Sequence, residues 1–451
     1  MKYLVQWLYP GLAIKRWMLL FSVGLLLVVF GATLILNYQI FGILEEQLLA
    51  FVFRMTGSYS YTFLALCGTV LILLGVWIII ASVRRMMKRF IQLLAPDEKE
   101  VSKSLLSRAE LSRGFRLVAI GGGHGLSMLL RGMKKKTSNI FAIVTVADDG
   151  GSSGRLRQEM GIIAPGDLRN CLVALADKES VLEQLFQYRF HDKGELAGHS
   201  LGNLFLAALI KEFGSVQNAL EAASKVLNIR GKVMPSTAEK VRLIAKMSDG
   251  EIVEGESEIS AYPSRCGKKD VRIVHMDTIP REPIAVGEAL EAIRNAELIT
   301  LGPGSLYTSI LPNLLVPEIL SALRESGAPV MYICNVMTQP GETDNYTVAD
   351  HLQALIDHIG EGIIDFVLVN NAMPLSETLR KYEKAGSYPV EIDADRVATM
   401  GITLIQADLL GSARGAAQDS DILAGRIVEI KNLLKGKIPP EALQDYLRRS
   451  H

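Results

Sequence analysis

The chain has 451 residues, with 48 Lys/Arg against 48 Asp/Glu, 49% hydrophobic residues and 4 Cys. That fits about two to three domain-sized units and excludes a disordered or disulfide-stapled protein. The formal net charge of zero hides two dissimilar parts: Met1 to Glu110 holds eleven Lys/Arg and six Asp/Glu, leaving 37 against 42 for the remainder. A basic N-terminal segment therefore precedes a mildly acidic body without the cationic surplus of a nucleic-acid binder.

No charged residue occurs between Arg16 and Glu45, and Trp17 to Leu36 is about 30 Å long as a helix, enough to span a hydrocarbon core. A second uncharged stretch runs from Met55 to Val83, with Tyr59 and Tyr61 at one end and Arg84, Arg85, Lys88 and Arg89 after the other. The pattern predicts a membrane hairpin of two transmembrane helices over residues 1–92, followed by a linker over 93–113. Basic flanks on both spans place both termini and the body in the cytoplasm and the intervening loop outside. The first run is longer than a signal-peptide core, and neither run leaves a polar face for a soluble hairpin. The cysteines show no CxxC pairing, which excludes a cysteine metal site and fits a reduced compartment.

From Phe115 the pattern changes to short apolar runs that end in glycine-rich turns, each followed by a helical stretch. This predicts an α/β body over residues 114–436 built on a mostly parallel, Rossmann-like sheet. Expected strands are Phe115 to Ile120, Ile140 to Val146, Leu298 to Leu301, Val330 to Cys334, Phe366 to Val369 and Thr403 to Ile405, with helices after Gly125, Pro165, Ser200, Ser305 and Thr347. Residues 231–283, with Asp249-Gly250 between two β-like runs, read as a small β-rich insertion adding antiparallel strands to that sheet. Residues 437–451 form a tail. His275, His351 and His358 share no metal-ligand spacing, and the last two read as solvated helix residues.

Three turns carry candidate chemistry. Gly121, Gly122, Gly123, His124 and Gly125 join a strand to a helix, where bare backbone and a helix N-terminus suit a phosphate; the third glycine of the dinucleotide fingerprint and the Lys-Ser/Thr of a P-loop are missing. After the second strand, Asp148 and Asp149 are placed to meet ribose hydroxyls or to hold Mg²⁺ together, next to Ser152, Ser153 and Arg155. Gly302, Gly304 and Ser305 form a second anion-suited turn, and two such turns point to a nucleotide or nucleotide-linked ligand. Asn335 and Thr338 follow a further strand and join the same rim. Gly198-His199-Ser200-Leu201-Gly202 matches a nucleophile elbow, but no strand precedes Ser200. Ser200 and Asn203 fit better as helix cap and ligand-facing donors, with His199 a binding or proton-transfer group.

Six runs in order, Ala147 to Arg155, Pro165 to Asn170, Phe186 to Phe190, Ala197 to Asn203, Gly302 to Ser309 and Cys334 to Thr343, resemble the bacterial gluconeogenesis-factor family, a relative of the 2-phospho-L-lactate transferases of deazaflavin-cofactor synthesis. The resemblance implies a Rossmann-like fold and binding of UDP-sugars such as UDP-N-acetylglucosamine, with no cofactor required. It further implies a role in cell-wall synthesis and cell shape under gluconeogenic growth, next to a cell-wall precursor enzyme, with a homodimer left open. Whether the chain catalyses anything also stays open: the transferase relatives move a phospholactyl group from a nucleotide-linked donor with Mg²⁺, whereas the closer family is regarded as regulatory. Tyr382 and Arg414 fall where the family's late nucleotide-sugar contacts lie. His124 stands where Thr is common, and the hairpin is absent from the usual soluble members.

Overall fold

The computed structural model describes residues 14–36, 46–47, 50–51, 53–54, 61–94, 110–177, 181–191, 193–267, 271–411 and 415–436. Most of the expected linker, the tail and Arg414 lie outside the described residues. The chain divides into two compact units, Met1–Ser107 and Arg108–His451.

The first unit packs helix α1 (Ile14–Leu36) against α2 (Tyr61–Leu94). Both contain a stretch long and apolar enough to cross a membrane, Arg16–Ile35 and Ala65–Lys88. Gly24 and Gly31 on α1 face Gly75 and Gly68 on α2: a Cβ added at Gly31 would lie 2.6 Å from the Gly68 carbonyl oxygen, and one at Gly75 2.6 Å from that of Gly24. Close backbone approach through small residues is how helices associate where the solvent is as apolar as the side chains. Outward-facing Leu19, Leu73 and Trp77 are exposed, and Arg85 lies 4.9 Å over the Trp17 ring.

The second unit is a seven-stranded sheet in the order β10-β9-β8-β7-β1-β2-β3, and every neighbouring pair is parallel. Its strands are β1 (Leu117–Gly121), β2 (Ile140–Val144), β3 (Lys232–Pro235), β7 (Leu298–Leu301), β8 (Val330–Ile333), β9 (Phe366–Asn370) and β10 (Thr403–Ala407). Alternation along β1 sends Val118 and Ile120 into one apolar cluster and Leu117 and Ala119 into the other. Helices cover both faces, so the central strands read as unbroken apolar runs. Chain order reverses between β1 and β7, and ligands of open α/β sheets bind outside the strand ends at such a switch point.

The expected insertion divides differently. Lys232–Pro235 is an edge strand of the main sheet, whereas β4 (Arg242–Met247), β5 (Ile252–Glu254) and β6 (Ile273–Ile279) form a separate antiparallel sheet in the order β5-β4-β6. Its inner residues Leu243, Ala245, Met247 and Met276 join the apolar cluster on one face of the main sheet. The Asp249-Gly250 turn joins β4 to β5, with Gly250 at φ +94°. His351 and His358 are not solvated. His351 is fully buried, and His358 stacks on His275 at 5.0 Å and accepts the Met276 N–H at 2.9 Å, because β6 packs over its helix.

Candidate functional site

The two glycine turns flank the switch point and touch. β1 ends at Gly121, and helix α3 (Gly123–Met133) starts at once, with Gly123 at φ +61°. Across from it, a Cβ added at Gly125 would sit 2.7 Å from the Pro303 carbonyl carbon and 2.9 Å from Gly304 Cα. The β7 turn is held from β8: Asn335 Nδ2 donates to the Gly304 carbonyl at 2.9 Å, and its Oδ1 accepts the Gly304 N–H at 3.2 Å. Ser305 Oγ donates to Gln339 Oε1 at 2.6 Å. Asn313 ties the next turn to the Gly121 carbonyl at 3.1 Å.

Helices α4 (Gly151–Met160) and α5 (Gly166–Leu175) also begin here, and none of the N-cap residues Gly122, Gly150 and Pro165 supplies a side-chain cap. Helix α6 (Leu201–Phe213) places Asn203 of its first turn in the same space. The positive dipole ends of these helices thus converge on a cavity of about 800 Å³. An anion is the complementary ligand.

The cavity is not uniformly positive. Asp148, Asp167 and Glu256 also line it. Burial, followed by the Asp148 charge, pushes Asp167 up to about 7 although it accepts the Gly123 amide hydrogen bond. Burial, again followed by Asp148, pushes Glu256 up to about 9. Arg131, Arg169 and Arg189 supply positive charge, and His124 places an imidazole beside them.

Of the residues expected from sequence, Gly122, Gly123, His124, Gly125, Asp148, Ser152, Ser153, Asn203, Gly304, Ser305 and Asn335 line this cavity. Gly121 and Gly302 lie behind them, at the end of β1 and just after β7. Asp149 is turned away. Its Oδ1 accepts the Ser257 N–H at 3.0 Å and hydroxyl at 2.8 Å, so it caps helix Glu256–Cys266 of the insertion rather than pairing with Asp148 on a metal. Consecutive side chains of an extended segment point to opposite sides. Among the described residues no group of three His, Cys, Asp or Glu is arranged to hold a metal.

Arg155 donates to the Ala197 carbonyl at 2.6 Å, and Thr338 Oγ1 accepts the Tyr388 N–H at 3.0 Å, both as structural ties. His199 is buried with Nδ1 3.0 Å from Ser152 Oγ, and burial lowers its pKa. Ser200 is fully buried; its Oγ caps α6 by accepting the Asn203 N–H at 3.2 Å and also accepts from Arg169 at 2.6 Å, which is no posture for a nucleophile. Tyr382 stands exposed on helix Ser376–Lys384 and does not line the cavity. Arg414 falls outside the described residues, although Ala416 to Gln418 just beyond it line the cavity. Sequence reasoning missed Asp167, Arg169, Asn170, Arg189 and Glu256 as lining residues. The first four sit inside two of the six runs that carry the family resemblance, which was the available signal.

A family profile described as 2-phospho-L-lactate transferase CofD matches residues 117–410. The chain belongs to this family, among its gluconeogenesis factors. A Nostoc relative named putative gluconeogenesis factor is 46% identical over 410 residues, covering 90% of this chain and 87% of the relative. The Bacillus subtilis gluconeogenesis factor is 50% identical over 295 residues, covering 65% and 91%. A match over 410 residues cannot fit within Arg108–His451 and reaches into the helical unit, whereas the B. subtilis match is the size of the family body. The crystal structure of a Bacillus halodurans protein described as a member of the upf0052 family superposes with a TM-score of 0.66 at 46% identity, covering 70% of this chain and 99% of that one.

Proposed function

We propose that this gluconeogenesis factor is a membrane-tethered receptor for a UDP-sugar such as UDP-N-acetylglucosamine, and that it regulates cell-wall synthesis and cell shape. The observation that carries the reading is the contact between the two glycine turns at the switch point. There three helix N-termini whose N-cap residues supply no side-chain cap converge, with no Lys among the described lining residues, an arrangement suited to a diphosphate. Asn203 and Asn335 orient the ligand, and Val336, Met337 and Gln418 at the β8 and β10 side offer an apolar wall with one amide for a base. The two apolar helices keep the receptor at the inner face of the membrane, beside the enzyme it regulates.

A second reading, a Mg²⁺-dependent transferase acting on a nucleotide-linked donor, is favoured by Asp148 and Asp167 facing the same cavity. Burial first, and then repulsion from Asp148, raises Asp167, and a divalent cation between the two carboxylates would relieve that repulsion. Those two carboxylates would hold the ion, which would neutralise charge on the leaving diphosphate. Calorimetric titration of the full chain in detergent with UDP-N-acetylglucosamine, in Mg²⁺ and in EDTA, tests both readings. Absence of binding at millimolar ligand sinks the receptor. Turnover of a nucleotide donor that Asp148→Asn abolishes replaces it with the transferase.

A further inference from the structure

Past the glycine turns, on the β2 side of the cavity, two guanidinium groups line one wall without an ion-paired carboxylate among the described residues. Arg169, in the first turn of α5, is only 7% exposed. Its Nη1 donates to Ser200 Oγ at 2.6 Å and its Nη2 to Asn170 Oδ1 at 2.7 Å, while its buried Nε–H has no partner. Arg189 arrives from a distant segment. The Leu201 N–H donates to the Tyr188 carbonyl at 2.9 Å and the Phe190 N–H to the His199 carbonyl at 3.0 Å, which sets Arg189 directly opposite Ser200. Arg189 donates to the Gly198 carbonyl at 3.0 Å.

Neither arginine makes an ion pair among the described residues, and both line the cavity together with Asn170. Arg189 is the strongest charge acting on Arg169, ahead of the attraction of Asp167 and Asp148. The N-terminus of α6, capped by the same Ser200, adds a further positive end. A desolvated cation with an unsatisfied donor, beside a second cation and a helix N-terminus, is costly unless an anion completes it.

We propose that Arg169, Asn170 and Arg189 form a second anion subsite, separate from the glycine turns, which receives a carboxylate or phosphate carried by the ligand beyond its diphosphate. The inference rests on the nucleotide-sugar reading of the same cavity and adds to it a preference for nucleotide sugars that carry an acidic group over neutral ones. A planar guanidinium fork matches a carboxylate in two parallel hydrogen bonds, and a neutral sugar hydroxymethyl offers no such match.

UDP-glucuronate and UDP-glucose differ only in whether the sugar's C6 is a carboxylate or a hydroxymethyl, so their dissociation constants isolate this subsite. Titrated into the full chain in detergent, UDP-glucuronate should bind at least tenfold more tightly. Arg189→Gln, a change at an exposed side chain, should bring the ratio of the two constants close to one, as should Arg169→Gln if its thermal unfolding remains cooperative. Equal affinities in the unaltered protein would overturn the subsite while sustaining the nucleotide-sugar reading. A preference that survives Arg189→Gln would likewise overturn it. Absence of binding by either sugar at millimolar ligand would remove both readings.

Discussion

Gly125→Ala puts the contact between the two turns to a direct test. The new methyl carbon would lie 2.7 Å from the Pro303 carbonyl carbon, 2.9 Å from Gly304 Cα and closer still to the Pro303 oxygen, where ordinary contact begins at 3.4 Å. All three are backbone atoms of a turn that Asn335 grips from both sides, so no side chain can rotate out of the way. The turns must part by roughly 0.5–1 Å, an overpacking cost of about 1–3 kcal/mol. Ala is the better helix former by about 1 kcal/mol, so the net loss of stability should be small. A misplacement of this size in a binding constellation can cost on the order of a hundredfold. UDP-N-acetylglucosamine affinity should therefore fall roughly tenfold to a hundredfold while the thermal midpoint moves little. Gly132→Ala is the control on the same helix: its methyl group would run into the Ser420 carbonyl, away from the cavity, and should lower the midpoint while sparing affinity. Native affinity in Gly125→Ala, or an equal loss in both variants, would refute the claim that turn contact shapes the site.

Ser200→Ala removes the cap of α6 and strands an Arg169 donor, so it should destabilise the body by about 2 kcal/mol in denaturant unfolding; the unaltered protein should resist a fluorophosphonate, and labelling at Ser200 would contradict its buried role. Burial raises Glu342 from 4.5 to about 7 against its hydrogen bonds from Ser260 and Thr308. The unfolded chain then loses this proton first as pH rises, so stability is greatest below about pH 4.5 and declines through pH 7, by at most about 3 kcal/mol for this group. Glu342→Gln should flatten that part of the stability profile, and an unchanged slope would place the proton elsewhere. Gly31→Leu should separate α1 from α2 and lower the temperature at which helical ellipticity is lost in detergent, whereas outward-facing Leu73→Ala should not. A cysteine at Ser58 should react with an impermeant thiol reagent in intact cells; protection there would reverse the proposed orientation.

The central strands were readable because a strand buried on both faces shows as an apolar run and stops at a glycine: Leu298–Leu301 lies where the pattern puts it, and β2 ends two residues short of the expected Val146. β3 escaped because Lys232-Val-Met-Pro235 is short, ends in proline and pairs only at an edge. Helix Glu256–Cys266 escaped because Pro263 and the glycines at its ends look like β-hairpin punctuation. The glycine turns were legible as local motifs, yet their mutual contact is a tertiary fact. The different neighbours of Asp148 and Asp149 were not legible in sequence, because Asp149 meets Ser257 of the insertion while Asp148 lines the cavity. Arg169 and Arg189 become neighbours only through the pairing of 188–190 with 199–201, which leaves no periodic trace.

An acidic body and an anion-seeking cavity are compatible because the two quantities are built from different groups. Formal charge counts side chains, whereas three of the four helix starts at this site present N–H groups and dipole ends that carry no formal charge. Burial drives two of the three carboxylates in the cavity toward their neutral forms, Asp167 to about 7 and Glu256 to about 9, so those two oppose a diphosphate less than their number implies. The basic surplus of the chain lies elsewhere, in the segment that carries the two apolar helices, with Arg84, Arg85 and Lys88 at the end of the second span. Composition therefore separates a basic part with two long apolar helices from an acidic α/β body, while the polarity of the cavity itself is set largely by backbone direction, which no residue count records.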